Sequence, residues 1–176
     1  MIVLIFLVSI TLSYSKNWIQ NSFKYPDLSE LKKLKLFSIV SSIALFIQIL
    51  LGAVMRHADA GLAIAKFPLA NQSSFLPSYW DFPISIHFSH RVGALIVTLI
   101  LFYFCYCLFK NKSLHAIYSF FPTIIISILS FQIYLGALTI WSAKNPYAAT
   151  IHHLVGAFLL ASVWAITFIL NRKSLT

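Results

Sequence analysis

The sequence predicts an all-α integral membrane protein, a bundle of four transmembrane helices preceded by a short hydrophobic segment. Three observations carry that expectation. The 176 residues are 60% hydrophobic and only 10% charged, where a soluble domain carries roughly 25% charged residues. Four long runs hold no charged residue: Leu36–Met55, Val92–Phe109, Ala116–Ala143 and Pro146–Asn171. The net charge of +9 comes from Lys and Arg placed between those runs. They form no basic stripe, so the charge reads as membrane topology, with lipid as a partner and no nucleic acid.

The elements follow in order. Met1–Ser15 is apolar but short. It lacks the basic start and small-residue cleavage site of a secretory signal, so it reads as a short or truncated membrane helix. Residues 16–35 read as a cytoplasmic basic linker. Residues 36–171 read as the four-helix membrane domain, and 172–176 as a cytoplasmic tail. A spanning helix needs about 20 apolar residues at about 1.5 Å rise each. The second run reaches that length by starting upstream, near Ile84, and so takes in His87, His90 and Arg91. Pro122 lies near the start of its run, where a proline is tolerated.

Charge sets the orientation. Lys16, Lys24, Lys32, Lys33, Lys35, Lys110, Lys112, Arg172 and Lys173 share one side if the four helices alternate. Arg56, Lys66, Arg91 and Lys144 fall on the other. The first group marks the cytoplasmic side, and the loop from about 56 to 84 lies outside. That loop is too long for a tight turn. Its Phe67, Tyr79, Trp80 and Phe82 suit a cap at the membrane interface. Cys105 and Cys107 point to different faces of one helix and read as buried apolar residues, not a disulfide.

An internal echo runs through the chain. Gln48-Ile-Leu-Leu-Gly52-Ala53 in the first long helix recurs as Gln132-Ile-Tyr-Leu-Gly136-Ala137 in the third. His90-Arg-Val-Gly93-Ala94 in the second recurs as His153-Leu-Val-Gly156-Ala157 in the fourth. The reading is a duplicated hairpin closed into a bundle, with the Gly-Ala steps at close helix contacts.

The histidines point to chemistry. His87 and His90 open the second helix, and His152 and His153 open the fourth, at matched depth. Ionisable side chains inside a membrane are costly and are functional candidates. Neutral imidazole is the usual axial ligand of heme iron. One histidine from each facing helix would clamp a heme edge-on, with Gly93 and Ala94 leaving room for the macrocycle. The bland alternative is interfacial histidines bonded to water or carbonyls. Copper or zinc is a further alternative, disfavoured because no thiolate or carboxylate lies beside the cluster. His57 and His115 read as loop or boundary residues. Arg56 and Arg91 suit heme propionates or plain interfacial anchoring equally.

These residues resemble the heme A synthase family. The stretch from Gly52 to Asn71 is similar to that family's signature at the end of a first helix and the start of its outer loop. Ile86–Leu95, Gln132–Thr139 and Thr150–Ala157 are similar to its second-, third- and fourth-helix motifs. Together they span about 35 to 171. The resemblance implies an oxidoreductase of eight helices in two like halves, which oxidises the C8 methyl of heme O to a formyl group. One half holds heme b between two histidines. Carried over, His90 and one of His152 and His153 match the axial ligands, with His90 and His152 the expected iron-binding pair. The internal spacing favours His153, three residues before Gly156; the family favours His152, four before it.

Three departures point to the cofactor-type, carboxyl-terminal half. The chain has one full half, and Met1–Ser15 looks like the end of a preceding one. Ile64 and Ala70 stand where many amino halves have outer-loop cysteines. His87 stands where the amino half has a carboxylate associated with catalysis, which makes His87 the catalytic candidate here. The expectation is a heme A synthase-type enzyme at the cell membrane, working as a homodimer or with a separately encoded amino half. The alternative is a b-type cytochrome electron carrier or a non-catalytic heme-handling protein.

Overall fold

The computed structural model describes residues 1–19, 28–111 and 120–172. Lys24, Lys112, His115 and Lys173, which entered the charge and histidine arguments, lie outside the described residues, as do the rest of the linker's middle and residues 173–176. The regular elements among the described residues are all helices, with no strand. The elements are α1 (Ile2–Ser13), the single turn α2 (Lys16–Ile19), α3 (Leu28–His57), a 3-10 turn (Ala60–Leu62), α4 (Phe82–Lys110), α5 (Phe120–Trp141) and α6 (Pro146–Leu170). α3, α4, α5 and α6 are each long and apolar enough to cross a membrane. The protein is a multi-pass membrane protein.

Two boundaries differ from the sequence reading. α3 begins at Leu28, so residues 28–35 are its first turns and not linker. The run Leu-Ser-Glu-Leu-Lys-Lys-Leu-Lys is built from good helix formers, so it continues the helix out of the apolar zone. α4 begins at Phe82, two residues before the expected start. Its N-cap is Asp81, whose Oδ1 accepts from the Ile84 amide at 2.8 Å. α6 starts the same way: Asn145 Oδ1 accepts from the Tyr147 and Ala148 amides at 3.0 and 3.4 Å. A proline follows each cap within the first turn, where its missing N–H costs nothing.

The four long helices pack in a ring: α3 against α4 and α6, α5 against α4 and α6. α3 and α5 therefore end where α4 and α6 begin. One end of the bundle carries the histidines, the other most of the described lysines. α3 turns Leu36, Ile39, Val40, Ile43, Ile47, Leu50 and Val54 outward along one stripe. In water that stripe would be an aggregation surface; against lipid tails it is solvated.

The interior is divided lengthwise. Its apolar core, including Leu101, Phe104, Cys105, Ile125, Leu159, Leu160 and Val163, fills the lysine-end half. Cys105 sits wholly inside that core, and neither cysteine is bonded to the other. Near that end a small polar seam joins α3 to α6. Ser42 Oγ and Thr167 Oγ1 lie 2.8 Å apart, and Thr167 Oγ1 reaches the Ser38 carbonyl at 3.0 Å. Each such interhelical bond contributes about 0.6–2 kcal/mol in a bilayer. At the lysine end, Asn111 closes the α4 terminus onto Glu30 of α3.

α1 lies on α6, with Trp164 Nε1 donating to Ser9 Oγ at 2.9 Å. Its Ser9 and Ser13 hydroxyls fold back onto carbonyls one turn earlier, which makes them tolerable in an apolar segment. Twelve residues rise about 18 Å, too short to span.

Candidate functional site

Among the described residues, the histidine-end half of the interior lies outside the main apolar cluster. It holds two copies of one arrangement. On α3, Gln48 and Gly52 stand one helical turn apart and face α4. The imidazole of His90 lies over Gly52: a Cβ there would come 3.0 Å from His90 Cε1. On α5, Gln132 and Gly136 face α6. The imidazole of His152 lies over Gly136, where a Cβ would come 3.2 Å from Cε1. Carbon atoms normally approach to about 3.5–4.0 Å, so only glycine leaves these rings their seats.

The two glycines within α4 and α6 serve the glutamines. A Cβ on Gly93 would collide with Gln48 Oε1, and one on Gly156 would stand 3.0 Å from Gln132 Nε2. Gly93 was expected to leave room for a macrocycle; its space is taken by the Gln48 amide. The duplication continues into the helix ends. Asp59 follows Gly52 at the interval at which Ala143 follows Gly136, and both take left-handed backbone, with φ of 50° and 51°. Their amides close back onto Arg56 and Ile140 at 3.2 and 3.1 Å, the same capping turn twice.

The geometric repeat therefore pairs His90 with His152. Spacing alone had paired it with His153. The reason is rotation: adjacent residues on a helix point about 100° apart, and the one that reaches Gly136 is His152. His153 is exposed, with Arg56 as its charged neighbour. The His152 and His153 ring centroids are 6.0 Å apart, and both rings lie within electrostatic reach of His90.

His87 and Arg91, one turn apart on α4, face the connecting loop. His87 is 2% exposed. Its Nδ1 lies 3.0 Å from the Ala60 carbonyl and 3.3 Å from the Ile64 amide. Arg91 donates to the carbonyls of Ile64 at 2.8 Å, Lys66 at 2.6 Å and Leu69 at 3.3 Å, and its guanidinium lies 5.6 Å from the Phe67 ring centroid. The loop expected to cap the bundle is thus fastened to α4 by these two side chains. Lys144 adds a tie from the α5–α6 turn, 3.2 Å from Asp59 Oδ1, with its stem over Gly61. Arg56 at the end of α3 is exposed. A proton-transfer role for His87 would have to use Nε2, because Nδ1 is engaged. A propionate role for Arg91 would compete with three carbonyls.

The glutamines stand in the internal repeat, and the sequence reading gives them no role of their own. The signal that marks them is the polar side chain itself, one turn before a glycine on two apolar helices.

Among the described residues no group of three or more His, Cys, Asp or Glu side chains converges to hold a metal ion. A bare copper or zinc ion usually needs three or four protein ligands. A heme brings four ring nitrogens and needs only two. The donor set fits that group on two counts. The two seated imidazoles come from different hairpins. Around them, His152 Nδ1, Gln48 Oε1 and Gln132 Oε1 are buried without a hydrogen bond of normal geometry.

The profile of the COX15-CtaA family, described as cytochrome oxidase assembly protein, matches residues 1–164. The chain belongs to that family. It is similar to the heme A synthase of Rickettsia prowazekii, with 32% identity over 75% of this chain and 42% of the relative. It is similar to that of Rickettsia massiliae, with 30% identity over 84% and 46%. The heme A synthase of Listeria welshimeri is 25% identical over 80% and 46%. The chain spans just under half the length of these relatives. No solved structure gives a significant match.

Proposed function

We propose that this chain holds one heme b between His90 and His152 and forms one half of a heme A synthase-type oxidoreductase. The reaction is oxidation of the C8 methyl of heme O to a formyl group. The observation that carries the reading is the doubled seat: an imidazole over a glycine, with a glutamine one turn away, on both hairpins at one end of the bundle. A bound heme b would supply one-electron redox chemistry. The chain's own residues do the rest. His90 and His152 would supply the two imidazole nitrogens that hold the heme iron. Arg56, exposed at the rim, is free to meet a propionate. His87 and Arg91 hold the cap loop over the same end. The histidine end faces the outside, by the lysine bias toward the opposite end.

One bis-histidine seat does not house cofactor and substrate together. The active unit is therefore a homodimer, or a pair with a separately encoded amino half. One observation favours a second reading for the isolated chain, that of a b-type electron carrier. The residue at the catalytic position, His87, has Nδ1 bound up in the loop.

The test is purification in detergent, spectroscopy, and pigment extraction from cells that also make heme O. A six-coordinate low-spin heme b supports the seat. Conversion of heme O to heme A supports the enzyme, and its absence alongside bound heme b, with an amino half co-expressed, supports the carrier. Colourless protein that takes up no hemin overturns both.

A further inference from the structure

The geometry points to Gln48 as the residue that orients His90 and sets which of its ring nitrogens carries the proton, a positioning residue for that ring. Gln48 Nε2 lies 3.0 Å from His90 Nδ1 and 2.8 Å from the His90 backbone carbonyl. No other hydrogen-bond partner of Nδ1 is found among the described residues. With Nδ1 unprotonated, the amide nitrogen faces α4, where it donates to both the ring and the carbonyl. Nδ1 then accepts, and the ring proton of His90 sits on Nε2.

An imidazole that binds iron through Nε2 carries its proton on Nδ1 and donates it to a fixed acceptor. This step rests on the reading that His90 is an axial ligand. The acceptor is already in place. Gln48 Oε1 is buried with no partner, and turning the amide about its terminal bond brings that oxygen to the ring, exchanging the bond to the His90 carbonyl for one from Nδ1–H. Leaving a polar atom buried and unpaired costs about 1–3 kcal/mol, so an apolar residue would serve a purely structural α3–α4 contact better. Gly93 keeps open the space that this amide fills. The second hairpin has the same residues without the same bond: Gln132 lies against Gly156 with Oε1 unpartnered, and His152 Nδ1 is buried with no hydrogen bond.

The test has two arms. In heme-free protein labelled with 15N-histidine, the wild-type His90 ring should show the proton on Nε2. Q48L should give a mixture of tautomers, and Q132L should leave His90 unchanged. This arm reads the contact whether or not the chain takes up heme, so its failure is separate from failure of the heme reading. In heme-loaded protein, Q48L and Q48E should both stay six-coordinate and low-spin. The heme midpoint potential should rise in Q48L, which loses the acceptor, and fall in Q48E, which strengthens it. A wild-type tautomer in Q48L overturns the proposal. So do potentials that match the wild type or move together in both variants.

Discussion

Gly136 lies beneath the imidazole of His152 as Gly52 lies beneath that of His90. The relationship separates two adjacent histidines that composition and depth leave equivalent. His152 reaches the bundle interior, and His153 faces outward beside Arg56. His152→Ala should abolish the six-coordinate low-spin spectrum, leaving a five-coordinate or weakly held heme, while His153→Ala keeps the wild-type spectrum. Optical and electron paramagnetic resonance spectra of the two purified variants decide it. Loss of the low-spin signal in His153→Ala alone would make the internal spacing the better guide.

The seats themselves can be filled. Gly52→Ala places a methyl 3.0 Å from His90 Cε1, and Gly136→Ala places one 3.2 Å from His152 Cε1. Each ring must retreat by a few tenths of an ångström. Overpacking of this kind typically costs about 1–3 kcal/mol. Both variants should lose heme faster than the wild type, Gly52→Ala more so, as measured by transfer to an apo-globin acceptor. Wild-type dissociation rates in both would mean that the rings do not occupy these seats when heme is bound.

Much of this was legible in the sequence because a bilayer restricts the choices. A charge-free run of membrane length has little option but a helix, so all four spans appear near their expected limits. Leu28–Lys35 was missed because a lipid-based criterion stops at the first lysine, while helix propensity does not. Hairpin duplication was legible because Gln48-to-Gly52 and Gln132-to-Gly136 share a spacing. What could not be read is which side chain enters which glycine. Gly93 and Gly156 face glutamines, and Gly52 and Gly136 face imidazoles; that depends on how α3 is rotated against α4, which spacing within one helix does not encode. His87 and Arg91 were recognised as unusual inside a membrane. Their partners are loop carbonyls and an amide far along the chain, invisible to any local pattern.

Arg91 should prove to be the main fastener of the cap. One guanidinium spans the carbonyls of Ile64, Lys66 and Leu69; an ammonium cannot reach all three from one point. Arg91→Lys should therefore behave more like Arg91→Ala than like the wild type. Hydrogen bonds from a charged donor contribute about 1.5–3 kcal/mol, so Arg91→Ala should lose about that much stability and gain amide exchange across residues 60–69. Unchanged exchange in that segment would remove Arg91 from the role.

The Lys144–Asp59 bridge should matter far less. Its side chains are 39% and 92% exposed, and exposed pairs contribute between zero and about 1 kcal/mol. Lys144→Ala should leave the melting temperature nearly unchanged at moderate salt. A large, salt-sensitive drop would show that the tie between the two hairpins is stronger than its exposure implies.

His87 offers the sharpest separation of fastening from proton transfer, because its two nitrogens face different tasks. Nδ1 touches the Ala60 carbonyl and the Ile64 amide, and Nε2 remains for any chemistry. Asparagine places its amide about where Nδ1 stands, and glutamine places one about where Nε2 stands. If His87 fastens the cap, His87→Asn should retain slow exchange at residues 60–64 and a wild-type heme spectrum. His87→Gln should loosen that segment, because its longer side chain carries the amide past both backbone partners. If His87 transfers protons through Nε2, the cap should be indifferent to the choice, and both variants should lose turnover of heme O with the exchange pattern intact. Hydrogen exchange and heme A yield measured on the same two variants distinguish the cases. A His87→Asn protein with a loosened cap beside a His87→Gln protein with a tight one would contradict the fastening role outright.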